Sequence, residues 1–271
     1  MKLAQAPRAS AILYNILVGR ADLRPWLLPA NICPIVPITF LKARVPFEFV
    51  DISADTLHMD LARAEDLVKR YKFGGLLYAH TYGELSTPLE FFSAIKNLDP
   101  EFIVVDDRCL CVPDLESIHT ADVILYSTGY AKIVEFNFGG YAFLRDDLEY
   151  RSSTYPFNPE HHGEIEKLYK QAIQKREKFI YRDSDWLQNA PPFPAWYDYS
   201  LQIETQRSAS LNRRAMLNQI YESRLPKEIQ LPQNYQTWRF NIRIKNNSQI
   251  LVDLSKKFKL ITIIKFFNTL L

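Results

Sequence analysis

Short apolar runs alternate with amphipathic segments over the first half of the chain, and this alternation limits the fold more than any other feature. The apolar runs are rich in β-branched and aromatic residues and are bounded by turn-forming residues, which predicts strands. The predicted strands cover residues 26–30, 47–52, 74–80, 101–107, 121–127 and 139–144. Helical spacing is found between several of them, at 33–43, 61–71 and 88–98. Buried strands separated by helices are typical of an α/β fold with a mainly parallel sheet covered on both faces.

The character of the sequence changes near residue 150. Two charged segments with helical spacing, 158–187 and 201–225, flank a proline-rich and aromatic stretch. Alternation then predicts a strand over 237–244, and helical spacing predicts a helix over 248–258. We therefore expect a large domain over 1–185 and a smaller, shortened α+β domain over 186–271.

Charge and composition exclude several classes of protein. The chain has 33 basic and 31 acidic residues, a net charge of +2, so it has no electrostatic reason to bind nucleic acid or an anionic membrane. No apolar run reaches the roughly 18 residues of a membrane span, and no secretory signal is evident, so we expect a cytoplasmic protein. The three cysteines and five histidines lack the spacing of a zinc site, so we expect no metal.

Polar side chains follow several predicted strands at the point where each strand ends. His80, Asp106, Asp107 and Ser127 occupy such positions, and Lys132 lies a few residues further on. In parallel sheets, ligands bind at the carboxyl ends of the strands. We expect one crevice to collect these groups.

Each of these residues also has a simpler interpretation. Lys132 could be a surface ammonium whose stem covers apolar neighbours, or a nucleophile whose amine is partly desolvated and therefore available in its neutral form. Asp107 could cap a helix or turn, and His80 could be a hydrogen-bonded structural histidine. Ser10 could be a helix N-cap with no ligand, and Ser127 an ordinary loop serine.

Four segments, taken in order, resemble one known family. They are "LPANICPIVPITFLKARVPFEFVDISADTLHMD", "AHTYGE", "VVDDRC" and "STGYAKIVEFNFGG". Together they resemble the DegT/DnrJ/EryC1/StrS family of pyridoxal-phosphate-dependent sugar aminotransferases. The resemblance implies a large domain of the aspartate aminotransferase-like type, fold type I.

The resemblance also implies roles for particular residues. Lys132 would form a Schiff base with pyridoxal phosphate, and Asp107 would pair with the pyridine nitrogen of the cofactor. Ser127 would donate to the phosphate, and Ser10 stands in "RASA" where the family has a helix start that binds the phosphate. His80 would lie near the cofactor.

The implied activity is amino transfer from an amino acid donor to a nucleotide-linked keto sugar, in polysaccharide or cell-surface sugar biosynthesis, by a homodimer. The alternative is a degenerate homologue with a binding or regulatory role, because both ends are short and because Cys33 and Leu110 replace an aromatic and a polar family residue. A related dehydratase is disfavoured, since those enzymes replace the lysine with histidine and this chain has Lys132.

Overall fold

The computed structural model describes residues 1–117, 119–189 and 193–243. The strands are β1 (Lys2–Ala6), β2 (Trp26–Pro29), β3 (Phe47–Val50), β4 (Gly75–Ala79), β5 (Ile103–Asp107), β6 (Val123–Ser127) and β7 (Gly140–Leu144). The α-helices are α1 (Ala9–Val18), α2 (Ile35–Ala43), α3 (Leu61–Arg70), α4 (Leu89–Leu98), α5 (Pro159–Lys175) and α6 (Trp196–Arg224). Short 3₁₀ turns cover Thr81–Gly83, Lys227–Ile229 and Gln233–Gln236.

One seven-stranded sheet runs through the molecule in the order β1-β7-β6-β5-β4-β2-β3. The strands from β6 to β3 are parallel, whereas β7 is antiparallel to both β6 and β1. Every residue of β4, β5 and β7 is buried, as expected for strands covered on both faces. The predicted mainly parallel α/β fold is confirmed.

The core consists of two layers, one on each face of the sheet. The first layer joins alternate strand residues such as Leu77, Val105 and Leu125 to α1, α2 and the segment that includes Trp186 and Leu187. The opposite face packs on α3 and α4 at its centre and on α6 near β7. Burying each large apolar side chain contributes about 1.5–3 kcal/mol, so these layers fix how the sheet and helices meet.

The proposed division after residue 185 remains a prediction. Trp186 and Leu187, just beyond it, lie in the same buried layer as α1 and α2. Tyr199 and Ile203 of α6 pack on the other face of the sheet. No helix within the described ranges is long and apolar enough to cross a membrane.

Three local predictions differ from the structure. β1 is not predicted, because KLAQA contains no β-branched or aromatic residue, and it is formed by pairing with β7. The helix predicted over 158–187 ends at Lys175, after which Arg176 adopts the left-handed conformation with φ 55°. Residues 237–243 form no strand but only one bridge, between Ile242 and Gln230, and the Asn241 side chain bonds to the backbone of Tyr235 and Arg239. The helix predicted over 248–258 lies outside the described residues.

Candidate functional site

The carboxyl ends of the parallel strands, the start of β7 and the start of α1 meet at one edge of the sheet. Asp107 is opposite Ala79 and Leu125 in the register, and Ser127 is opposite Gly140. Arg8, just before α1, forms a β-bridge with Gly139. Sequence-predicted residues Ser10, Asp107, Ser127 and Lys132 therefore share this edge.

The glycine pair at the start of β7, Gly139 and Gly140, lets α1 approach the sheet closely. A Cβ on Gly140 would collide with the backbone of Ala9, and Gly139 has φ +95°, which favours glycine. Gly139 N–H also donates to the Pro7 carbonyl over 2.6 Å. The N-terminus of α1 is thereby fixed at the site.

The first turn of α1 is open to an anion. Its N-cap is Arg8, which makes no side-chain cap, and the first turn holds no acidic residue. The unpaired N–H groups and the helix dipole at such an end favour negative charge. Ser10 lies in this turn and is half-buried.

Ser127 closes the other side of this anion-favouring region. Its hydroxyl accepts from Gly129 N–H over 3.1 Å and lies 3.4 Å from the Gly139 carbonyl, a long hydrogen bond. Because the second contact is weak, the hydroxyl proton can turn towards a ligand oxygen at little cost.

Asp107 provides a buried carboxylate at the end of β5. Its Oδ1 accepts from the Cys109 backbone N–H over 2.9 Å. Burial raises the pKa of the Cys109 thiol well above its ordinary value, the Asp107 charge adds to this effect, and the Lys132 ammonium opposes it. The carboxylate and the ammonium thus both lie within electrostatic range of one thiol.

Lys132 lies in a loop that runs from Thr128 to Gly139 and is closed by hydrogen bonds at its base. Thr128 N–H donates to the Gly139 carbonyl over 3.1 Å, and Phe136 N–H donates to the Thr128 carbonyl over 2.8 Å. The Lys132 side chain is half-buried, and its amine makes no hydrogen bond or ion pair within the described residues. It is available to a ligand.

The C-terminal part of the chain holds the lysine loop by its backbone. Trp238 Nε1–H donates to the Ala131 carbonyl over 2.7 Å, Arg214 Nη2–H donates to the Lys132 carbonyl over 2.9 Å, and the Ser210 hydroxyl donates to the Ile133 carbonyl. Ala131 has φ 57°, an uncommon conformation that these contacts help to maintain. These three donors are not predicted from the sequence, since no local pattern links them to the lysine.

His80 lies in a different cluster. His80 Nε2 is 2.6 Å from Asp106 Oδ1, and Nδ1 is 2.8 Å from the Glu84 carbonyl oxygen, so both ring nitrogens face protein acceptors. Arg108 Nε–H donates to Asp106 Oδ2 over 2.8 Å, and all three side chains are buried. Because side chains alternate along β5, this cluster is on the opposite face from Asp107. The structure does not bring the His80 ring to Asp107.

The fold is that of the pyridoxal-phosphate-dependent aminotransferases. An aminotransferase of the DegT DnrJ EryC1 StrS type from Brucella abortus superposes with a TM-score of 0.63 at 13% identity, covering 95% of this chain and 69% of that one. A sugar aminotransferase from Micromonospora echinospora gives 0.61 at 17% identity, covering 94% and 71%. The predicted fold type is confirmed.

The same fold also carries another reaction. The GDP-4-keto-6-deoxy-D-mannose-3-dehydratase of Escherichia coli, solved with hydrated pyridoxal phosphate, superposes with a TM-score of 0.60 at 12% identity, covering 95% of this chain and 72% of that one. No family model and no curated protein sequence matches the chain. The reaction must therefore be argued from the site.

The residues at this edge fit pyridoxal phosphate. The edge has a buried carboxylate, an amine without a partner among the described residues, and an anion-favouring helix end. The buried Arg8 Nε has no hydrogen-bond partner in the described part of the chain. This orphan donor indicates that an acceptor belongs beside it.

Proposed function

We propose that the protein is a pyridoxal-phosphate-dependent aminotransferase that transfers an amino group from an amino acid to a keto sugar. The proposal depends mainly on one observation, the convergence of Asp107, Lys132 and the open N-terminus of α1 at one edge of an aminotransferase fold. A nucleotide-linked sugar, polysaccharide or cell-surface sugar biosynthesis and a homodimer belong to the same proposal, and the sequence resemblance supports them. A cytoplasmic location also belongs to it, and the short apolar runs of the sequence support that part.

Each residue has a role that its surroundings permit. Bound pyridoxal phosphate supplies an electron sink for the bond broken at the amino acid α-carbon. The Asp107 carboxylate would pair with the pyridine nitrogen and keep it protonated, which would strengthen that sink. Ser127 and Ser10 donate to the phosphate beside the N-terminus of α1.

Lys132 carries the chemistry at its amine. Its Nζ would hold the cofactor in the resting protein and, when free, would act as the base that accepts the donor α-carbon proton and gives it back. Its backbone is held by Arg214 and by Trp238 on the preceding residue, which fixes the point from which the side chain extends. His80 near the cofactor remains a prediction, and its contacts to Asp106 favour a structural role.

Absorption spectroscopy with borohydride trapping tests the cofactor assignment. Purified protein mixed with pyridoxal phosphate should show a visible band, and reduction should add the cofactor mass to Lys132 in a peptide digest. Lys132→Ala should show neither, while Lys72→Ala, at an exposed position, should behave as wild type. Trapping at another lysine, or no band in the wild type, would contradict the proposal.

Amino transfer itself is tested with glutamate as donor and a nucleotide-linked keto sugar as acceptor. Formation of 2-oxoglutarate that depends on the sugar supports the proposed reaction. A protein that binds the cofactor at Lys132 but transfers nothing to any of a panel of keto sugars would support the degenerate, binding homologue instead.

A further inference from the structure

Arg8 is a partly buried cation without an anionic partner in the described part of the chain. Its Nη1 donates to the Asn137 carbonyl over 2.7 Å, its Nε is buried with no partner, and within residues 1–117, 119–189 and 193–243 no carboxylate forms an ion pair with it. Desolvation lowers the pKa of Arg8 from its ordinary value, and no opposing carboxylate compensates. Arg108, by contrast, is paired with the Asp106 carboxylate.

The surroundings of Arg8 have the character of an anion site. Arg8 is itself the N-cap of α1, so its side chain starts at the open, partly positive end of the helix. A Cβ placed on Gly129 would lie 3.3 Å from Ser127 Oγ and 4.0 Å from Arg8 Nη1. The guanidinium and the serine hydroxyl therefore flank one small space, which the missing side chain of Gly129 leaves free.

We infer that Arg8 is a phosphate-binding residue that pairs with the phosphate of the cofactor, an inference that rests on the proposed function. The guanidinium brings N–H groups in a rigid fork that matches phosphate oxygens, and Nε–H is one that the described residues leave without an acceptor. Ser127 and the first N–H groups of α1 complete the phosphate shell from the other sides. Burying a cation here without an anion is costly, so ligand binding removes an unfavourable state of the free protein.

The contribution of Arg8 to cofactor affinity can be estimated from the hydrogen bonds that a guanidinium makes to a phosphate. Hydrogen bonds to a charged partner correspond to roughly a 10- to 100-fold change in affinity. This contribution is specific to the phosphate. Pyridoxal, which has the same ring and aldehyde but no phosphate, should gain nothing from Arg8.

Dissociation constants for pyridoxal phosphate and for pyridoxal should be measured with wild type and Arg8→Gln. They separate a phosphate-binding role of Arg8 from a purely structural one. We expect Arg8→Gln to weaken the binding of pyridoxal phosphate by about 10- to 100-fold and to leave the binding of pyridoxal unchanged. Arg207→Gln is the matched control, because Arg207 also donates to a carbonyl, that of Pro113, and should change neither constant. If Arg8 only holds the loop at Asn137, the binding of both ligands should weaken equally, and that result would overturn the inference.

A second readout uses inorganic phosphate and needs no cofactor. Phosphate should raise the melting temperature of the wild type above that in chloride of equal ionic strength, and should not raise that of Arg8→Gln. If the wild type does not bind pyridoxal phosphate but shows this difference, the proposed function fails and the phosphate site stands. If phosphate stabilises both variants equally, or neither, the inference is wrong.

Arg8→Lys carries the test if Arg8→Gln does not fold. Lysine keeps the charge but loses the Nε–H donor and the fork. Pyridoxal phosphate should then bind several-fold more weakly than to wild type, with pyridoxal unchanged. A parallel loss of both ligands would count against the inference.

Discussion

Asp106 and Asp107 are neighbours in sequence, but the pleat of β5 gives them opposite surroundings. Asp106 points to the face where His80 and Arg108 lie, and both its oxygens are engaged. Asp107 points to the other face, where its partners are the Cys109 backbone and thiol. The first carboxylate is thus committed to the fold, and the second is left with capacity for a ligand.

Substituting each aspartate by asparagine should separate these roles. Asp106→Asn leaves the buried Arg108 without a counter-charge and should lower the free energy of unfolding by about 3 kcal/mol or more. Asp107→Asn, which keeps an oxygen for the Cys109 N–H, should cost about 1 kcal/mol or less and should instead weaken pyridoxal phosphate binding. Urea unfolding and cofactor titration of both variants check this, and the opposite ranking would contradict it.

Two glycine-to-alanine substitutions should change the free energy of unfolding in opposite directions. At Gly139, φ is +95° and a Cβ would lie 2.5 Å from Thr128 Oγ1, so Gly139→Ala should destabilise by about 2 kcal/mol or more. At Gly163, within α5, no atom outside the neighbouring helix backbone lies within 4 Å of an added Cβ, so Gly163→Ala should stabilise by about 0.5–1 kcal/mol. Equal effects of the two substitutions in urea unfolding would refute the strain argument.

The sequence alone predicts which residues lie at the site, but not the long-range contacts that hold them in position. Asp107, Ser127 and Lys132 follow apolar runs, so their place at the sheet edge can be inferred from the order of the chain. Arg214 and Trp238 reach the lysine loop across separations of 82 and 107 residues. Such contacts depend on how α6 packs on the sheet, and no local spacing encodes that packing.

At the level of elements, burial decides how well the sequence predicts the structure. The central strands form long apolar runs because both of their faces are covered, and all are predicted. β1 lies at the sheet edge with exposed Lys2 and Leu3, so its pattern is weak. Residues 237–243 alternate like a strand, but the Asn241 side chain bonds to the backbone of Tyr235 and Arg239, and pairing is limited to one bridge between Ile242 and Gln230.

The loop from Thr128 to Gly139 should loosen when its clamp from α6 is removed. Arg214 donates to the carbonyls of Lys132 and Trp238, and Arg214→Gln should lose charge-assisted bonds worth about 1.5–3 kcal/mol together. Amide hydrogen exchange within 130–137 should therefore become roughly 10-fold faster or more. Arg207→Gln should leave that exchange unchanged; equal rates in wild type and Arg214→Gln would show that the clamp does not hold the loop.

At the scale of the whole molecule, the segment after α6 returns to the first half of the chain. The Tyr235 hydroxyl donates to the Thr56 carbonyl over 2.7 Å, and its ring stacks on His58 with centroids 5.9 Å apart. Trp238 contacts Gly83 as well as the lysine loop. The buried His58 therefore lies where three distant parts of the chain meet.

His58 should make the stability of the whole fold depend on pH. Burial, with a smaller contribution from His80, lowers the pKa of His58 from 6.5 to about 4 in the folded protein. Between these values the unfolded chain binds a proton at His58 that the folded protein does not. The contribution of His58 to stability is therefore complete above about pH 6.5 and is lost as pH falls towards 4, by about 3 kcal/mol in total.

His58→Gln removes this titration, so its free energy of unfolding should fall less steeply than that of wild type over this range. Above pH 7 the two profiles should be parallel, because His58 is neutral in both the folded and the unfolded state. Urea unfolding at closely spaced pH values checks this, and parallel profiles between pH 4 and 6.5 would show that the His58 pKa is not lowered. Because Tyr235 stacks on His58, the loss of stability in acid should also release the C-terminal segment that helps to hold the lysine loop. Acid should therefore weaken cofactor binding before the sheet unfolds.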